Sequence, residues 1–267
     1  MNPTHACAYR RIDDQTFDAD ELTRGPWNPE HQHAGPPTAL VARAIERAAS
    51  AHGLTHLARL TANLLRPVLL GRLGVEVRED YVGRNAAHYS ARLTSGGKEA
   101  ARFTALVQRE AATPTPPGTP GHPLPAAPRA PQACEVAQMP FAGRERGYAD
   151  LIENRIAEGR IWAGPCSVWF RMRHPLVDGE TPSPYQRVAV AADSGNGISA
   201  VLDFERYSFV NCDLTINLLR RPAGEWICLA AHTALGDNGC GIAESALYDE
   251  AGLIGRATQS LAVRVRG

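Results

Sequence analysis

His31-Gln32-His33 places two imidazoles two residues apart, a spacing that could hold a metal ion. Two histidines lack the third protein ligand a zinc site needs, so surface or supporting roles suit them better. Cys7, Cys134, Cys166, Cys212, Cys228 and Cys240 are scattered with no CxxC pair. That favours small apolar core residues and reduced thiols over zinc or a disulfide frame. The chain has neither a G-x-S-x-G nucleophile elbow nor a phosphate-binding loop. Carboxylates and amides remain as chemical groups: a carboxylate can take a proton from water, whereas an amide cannot titrate and can only hold or orient. Asp193 opens Asp193-Ser194-Gly195-Asn196-Gly197, where it could also be a turn or capping residue. Asn211 could close a strand end, and alternation puts Asp213 on its face as a rival acid. Gln259, between Thr258 and Ser260, could be one solvent-facing strand residue.

The elements that would position these groups read as a repeat. Leu60-Thr61-Ala62-Asn63-Leu64-Leu65-Arg66 matches Leu214-Thr215-Ile216-Asn217-Leu218-Leu219-Arg220 at six of seven positions, 154 residues apart. The same offset pairs Arg102-Phe103-Thr104 with Arg256-Ala257-Thr258. Two matches at one offset imply a duplicated unit. Pro36-Pro37 opens an Ala-rich helix through about Ala48. Short strands follow at Ala58–Leu65, Leu73–Arg78, Ala87–Thr94 and Ala100–Gln108, with turns at Gly83-Arg84-Asn85 and Ser95-Gly96-Gly97-Lys98. The second half predicts a helix at roughly Val188–Leu202, then strands at Tyr207–Leu219, Trp226–Thr233, Ile242–Tyr248 and Leu253–Val265. Residues 111–131, with eight prolines from Pro114 to Pro131, read as an exposed, mobile linker. The expected division is 1–110, a linker 111–135, and 136–267. One helix and an antiparallel meander, repeated, is an α+β arrangement in which each sheet wraps its helix.

Lys plus Arg and Asp plus Glu are 28 each, so net charge gives no case for nucleic acid or an anionic membrane as partner. Any anionic ligand must be held by a local arginine cluster. No signal peptide opens at Met1 and no apolar run is long enough to span a bilayer, which makes a cytoplasmic protein the expectation.

Three strings carry a family resemblance: Phe209-Val210-Asn211-Cys212-Asp213-Leu214-Thr215, Arg221-Pro222-Ala223-Gly224-Glu225-Trp226, and Leu247 to Gln259. Together they resemble the C-terminal half of acyl-CoA thioesterase II type proteins. His33-Ala34-Gly35-Pro36-Pro37 and Leu64-Leu65-Arg66-Pro67 are similar to the N-terminal half. The resemblance spans nearly the whole chain except the linker and roughly residues 136–180. It implies a double hotdog fold, two helix-wrapped sheets fused into one. It also implies hydrolysis of an acyl-CoA without metal or bound cofactor, with a homodimer as the candidate assembly. The family carries an Asp near the start of its C-terminal helix, a Thr on the next strand and a Gln on the last. By position these become Asp193, Asn211 in place of the Thr, and Gln259.

On that footing Asp193 would activate water, Asn211 and Gln259 would hold it, and backbone N–H groups at a helix start would meet the oxyanion. Gly35, Arg66, Arg220 and Arg221 are the substrate-binding candidates, the arginines for the phosphates of coenzyme A. Subtracting 154 puts the trio opposite Ala39, Leu57 and Ala105, so the first half looks inert. Two other readings stand beside this one. A non-catalytic acyl-CoA or lipid binding module is kept alive by the Asn at the Thr position. A hotdog enoyl hydratase is suggested by Trp27-Asn28-Pro29-Glu30-His31, but Pro26 stands where its catalytic Asp would be.

Overall fold

The computed structural model describes residues 6–121, 124–138 and 145–266. The start of the chain, where no leader pattern was read, and Pro123 of the expected linker lie outside the described residues. The first half contains β1 (Tyr9–Arg11), β2 (Thr16–Ala19), α1 (Gly35–Ser50), β3 (His56–Leu64), β4 (Arg72–Val82), β5 (Ala86–Ser95) and β6 (Lys98–Gln108). The second contains β7 (Glu135–Val136), α2 (Tyr148–Leu151), β8 (Ile152–Gly159), β9 (Cys166–Met172), α3 (Pro184–Ala192) and α4 (Gly195–Ile198). It closes with β10 (Tyr207–Asn211), β11 (Asp213–Leu218), β12 (Ile227–Leu235), β13 (Cys240–Asp249) and β14 (Gly252–Val265).

The strands form one antiparallel sheet in the order β1-β2-β4-β5-β6-β3-β11-β14-β13-β12-β9-β8-β7, with β10 also on β14. β3 and β11 join the halves. Their register places Thr61 opposite Thr215, which are repeat-equivalent residues, and Thr215 Oγ1 lies 3.3 Å from Thr61 Oγ1. A pseudo-twofold axis therefore passes between these two threonines. Further out, Thr61 pairs Thr104 and Thr215 pairs Thr258, so a row of four threonines crosses the centre. The offset of 154 carries Ala86–Ser95 onto Cys240–Asp249, the bounds of β5 and β13. Even the irregularities agree: β3 bulges at Ala58, and β10 breaks from β11 at the equivalent Cys212. That break splits the single strand expected over Tyr207–Leu219.

One face of the sheet carries the helices and the other meets solvent, which is why β5 and β13 alternate buried and exposed residues. α1 packs on β3–β6, α3 packs on β9, β11 and β12, and the two helices lie side by side. They run antiparallel: a β-carbon at Gly35 would overlap the Val190 carbonyl, while late in α1 the Arg43 guanidinium grips Glu180. Gly35 is the residue that lets the two backbones approach this closely.

The second helix departs from expectation at both ends. Ser183 caps it by accepting from Gln186 N at 3.1 Å and Pro184 follows, so it begins before Val188. It stops at Ala192, where Asp193 and Ser194 are weak helix formers and Gly195 and Gly197 add conformational entropy. The helix starts are 149 residues apart. Asp193 thus faces Ala44 rather than Ala39 in the first half, and both are alanine.

The expected linker divides. Residues 111–121 are almost all exposed. Beyond them the chain packs on the sheet: Leu253 N donates to Pro125 O at 3.0 Å, Trp169 Nε1 to Arg129 O at 2.8 Å, and Pro131 is buried. Here the carbonyls that proline leaves available serve as acceptors. β1, β2, β7, β8 and β9 were not expected and extend the sheet at both edges. No helix among the described residues is long and apolar enough to cross a membrane.

Candidate active site

Asp193 follows the last residue of α3, Asn211 ends β10, and Gln259 points inward from β14. The fold brings all three together. Asn211 Nδ2 donates to Asp193 Oδ1 at 2.8 Å, and Gln259 Nε2 lies 3.4 Å from the same oxygen. Gln259 also donates to the Asp193 carbonyl at 3.1 Å and accepts from Asn196 N at 2.9 Å. It thereby clamps the end of α3 to the start of α4. At 2 % exposure Gln259 is no solvent-facing strand residue. The Asp193 side chain is 5 % exposed and lies between the C-terminal end of α3 and the start of α4.

The second carboxylate oxygen meets a residue left outside the expected trio. His33 Nδ1 lies 3.1 Å from Asp193 Oδ2 and also 3.1 Å from the Gly35 nitrogen. Burial pushes the His33 pKa below the usual imidazole value, and the Asp193 charge only partly offsets that. In the neutral ring Nδ1 can accept from Gly35 N–H or donate to Asp193, not both. The ring stacks on Tyr148 with centroids 3.8 Å apart. Tyr148, on α2, donates to Val190 O at 2.7 Å and contacts Ser194 Oγ at 3.0 Å. Burial raises the Tyr148 pKa, so the phenol stays neutral. The sequence signal for His33 was its place two residues before the first helix. Tyr148 lay in a stretch with no assigned element.

His31 and His33 separate in role: His31 bridges to Leu69 while His33 faces Asp193. Among the described residues no group of three or more His, Cys, Asp or Glu could hold a metal ion. Asp213 turns away as a rival acid. The break at Cys212 reverses the alternation, and Asp213 Oδ1 accepts from Ser260 N at 2.6 Å.

The arginines do not converge on the trio. Arg220 forms a forked pair with Asp249, 2.5 Å at each oxygen, and donates to Leu253 O and Gly252 O. Asp249 is fully buried, so this pair holds a turn between strands. Arg221 lies near Glu46 and Tyr185, at the opposite end of the helix pair. Eleven residues of α1 separate Gly35 from Glu46, about 16 Å of helix. Arg66 is exposed and donates to Glu99 O at 2.7 Å. A cleft of about 430 Å³, lined by residues such as Leu70, Arg72 and Thr94, contains none of the site residues.

What the corner offers is a buried carboxylate with one oxygen held by amides and the other against a neutral imidazole. These are groups that acid–base chemistry can use, with their orientation fixed.

Comparison with known proteins bears on family and fold. Residues 23–108 match the acyl-CoA thioesterase N-terminal domain and residues 131–263 the acyl-CoA thioesterase C-terminal domain. No sequence among curated proteins matches the chain. Among solved structures, a protein provisionally described as thioesterase II from Thermobifida fusca is similar at TM-score 0.74 and 16% identity, over 99% of both chains. An acyl-CoA thioesterase II from Mycobacterium marinum is similar at TM-score 0.64 and 15% identity, covering 97% of this chain and 96% of that one. A hot dog fold protein of unknown function from Alicyclobacillus acidocaldarius gives TM-score 0.70 and 14% identity, over 96% of both chains. At these identities the structural likeness establishes the double hotdog fold.

Proposed function

Because the chain belongs to the acyl-CoA thioesterase family, we propose that it hydrolyses an acyl-CoA thioester to the free acid and coenzyme A at the Asp193 corner. The observation that carries the reading is the convergence of Asn211, Gln259 and His33 on one buried carboxylate. Asp193 takes a proton from water as the water oxygen attacks the thioester carbonyl. The tetrahedral intermediate collapses, the C–S bond breaks, and the proton held by Asp193 passes to the departing sulfur. His33 Nδ1–H, donating to Asp193 Oδ2, holds the carboxylate in place at the start. In that tautomer Nδ1 no longer accepts from Gly35, whose N–H at the start of α1 is then free for the oxyanion. Pro36 and Pro37 offer no donors, so Gly35 carries that task. All six cysteines are unpaired, which supports a reducing cytosolic setting.

One observation favours a second reading, a binding module without turnover. Asn211 and Gln259 both spend their amide nitrogens on Asp193 rather than on a water. A thiol-release assay across short, medium, long and aromatic acyl-CoAs tests the choice. Release that is abolished by Asp193→Asn supports the thioesterase. Tight binding with no release from any of these substrates transfers the case to the binding module.

A further inference from the structure

The two halves treat the outer face of the sheet differently. At the start of β12, Ile227 and Leu229 enter the core under the helices, whereas Trp226 and Cys228 point to the opposite face. There they are buried with Trp169, and Tyr248 packs against them. The chain covers this patch with its own residues 125–134. Ala127 and Cys134 join the apolar cluster, Trp169 Nε1 donates to Arg129 O, and Arg155 Nη1 donates to Pro131 O at 3.0 Å. A proline-rich segment suits that place. Its rings are apolar, its carbonyls accept from side chains of the sheet, and its extended form is already restricted before it docks.

The first half carries the counterpart of this patch as an open cleft. The offset of 154 takes Arg72, Gly74 and Thr94 onto Trp226, Cys228 and Tyr248. Thr16 lies opposite Gly74 as Trp169 lies opposite Cys228. All four first-half residues line the cleft of about 430 Å³, and Leu69 beside them is 40 % exposed. Where the second half has two tryptophans and a tyrosine, the first has two threonines and an arginine, so the space stays unfilled. Arg72 is forked to Asp18, which leaves the pair without net charge.

The chain's own exposed linker cannot reach this cleft. Residues 110–124 leave the sheet after Gln108 and return where Leu253 N holds Pro125 O. The ladder from β6 through β3 and β11 to β14 sets both anchors at one end of the sheet. The cleft lies at the other end, beside the start of β6 at Lys98, ten residues or about 33 Å from Gln108. A fifteen-residue loop tied at both ends reaches out at most about 25 Å.

We propose that the cleft takes residues 111–121 from a second copy of this chain. That segment is almost entirely exposed, carries no charge and includes Pro114, Pro116, Pro117 and Pro120. It suits a cleft whose one cation is already paired, and it is proline-rich like the segment seated on the repeat-equivalent patch. Cleft and segment sit at opposite ends of each copy, so one twofold pairing makes both contacts and closes. The contact is smaller than a standard interface, and dilute protein is monomeric.

Sedimentation velocity across a concentration series reads the association. The parent should shift from monomer to dimer as concentration rises. Removing residues 112–118 should abolish the shift. Thr94→Glu should abolish it too, because it puts an unpaired charge at an exposed position that the docked segment would desolvate. A fluorescent peptide of residues 111–121 tests the cleft separately, using the protein that lacks 112–118. The peptide should bind, and adding Thr94→Glu should weaken it about tenfold or more. A parent that stays monomeric at the highest concentration overturns the proposal. So does a dimer that survives both changes, or peptide binding that Thr94→Glu leaves intact. None of these readouts involves thioester hydrolysis, so the proposal stands or falls apart from the thioesterase reading.

Discussion

The pseudo-twofold axis relates the two ends of the α1–α3 pair, and the two corners have diverged into different chemistry. At the far end α1 runs unbroken through Glu46, whose carboxylate accepts from Ser183 Oγ at 2.8 Å and from Gln186 Nε2 at 3.3 Å. Burial pushes the Glu46 pKa up. His56 there is held between Tyr185 OH at 3.1 Å and Leu218 O at 3.0 Å. Its strand positions equivalent to Asn211 and Gln259 are Leu57 and Ala105, both buried. At the near end α3 stops at Ala192, so Asp193 leaves the helix and meets amides from β10 and β14. A carboxylate within a helix tends to cap its neighbour; one released from the helix end can be gripped from several elements at once. The break in α3 selects which corner can carry an acid–base centre.

The largest expected effect breaks the near corner. Asp193→Asn should cut kcat by roughly 10²–10⁴ with little change in stability. Glu46→Gln, at the buried carboxylate of the far corner, should leave kcat within about threefold. Steady-state kinetics of both variants decide whether the corners differ as described, and equal losses would erase the comparison.

Next comes the ion pair that had been expected to bind substrate. Arg220→Ala leaves Asp249 buried without its cation and should cost roughly 3–5 kcal/mol of unfolding free energy. KM for the acyl-CoA should stay within about twofold. A large rise in KM with normal stability would return Arg220 to a binding role.

A smaller effect sharpens the role of His33 through pH. Its folded-state pKa lies below the unfolded value, so the unfolded chain takes up a proton that the folded chain refuses. The stability this residue contributes is complete above about pH 6.5 and is lost as pH falls below it, at no more than about 1.4 kcal/mol per unit. Urea midpoints between pH 7.5 and 5.5 should therefore fall less steeply in His33→Asn than in the parent. Parallel curves would show that His33 is not held neutral by burial.

The smallest effect lies in the exposed part of the connecting segment. Removing about five residues within 112–118 should change unfolding free energy by less than about 1 kcal/mol. Cutting 125–131 should cost more, because Pro125 and Arg129 carbonyls accept hydrogen bonds from the second half of the sheet.

The sequence by itself determined the repeat and much of its geometry. One offset in Leu60–Arg66 and Arg102–Thr104 was enough to predict equivalent strands in the two halves, and the structure shows that β3 and β11 are also the strands that join them. The trio was named by position from the family resemblance; alternation alone left Asp213 beside Asn211 and Gln259 open to solvent. Only the tertiary structure decided what those residues touch. His33 and Asp193 are 160 residues apart and meet because Gly35 lets α1 and α3 close on each other. Asp213 was excluded by a strand break that local pattern reads as continuous strand. Arg220 read as a candidate for the phosphates of coenzyme A, but Asp249, buried on a distant turn, takes both its terminal nitrogens. Periodicity reports which way a side chain faces along its own element, but long-range partners depend on where other elements arrive, and that is a property of the packed chain.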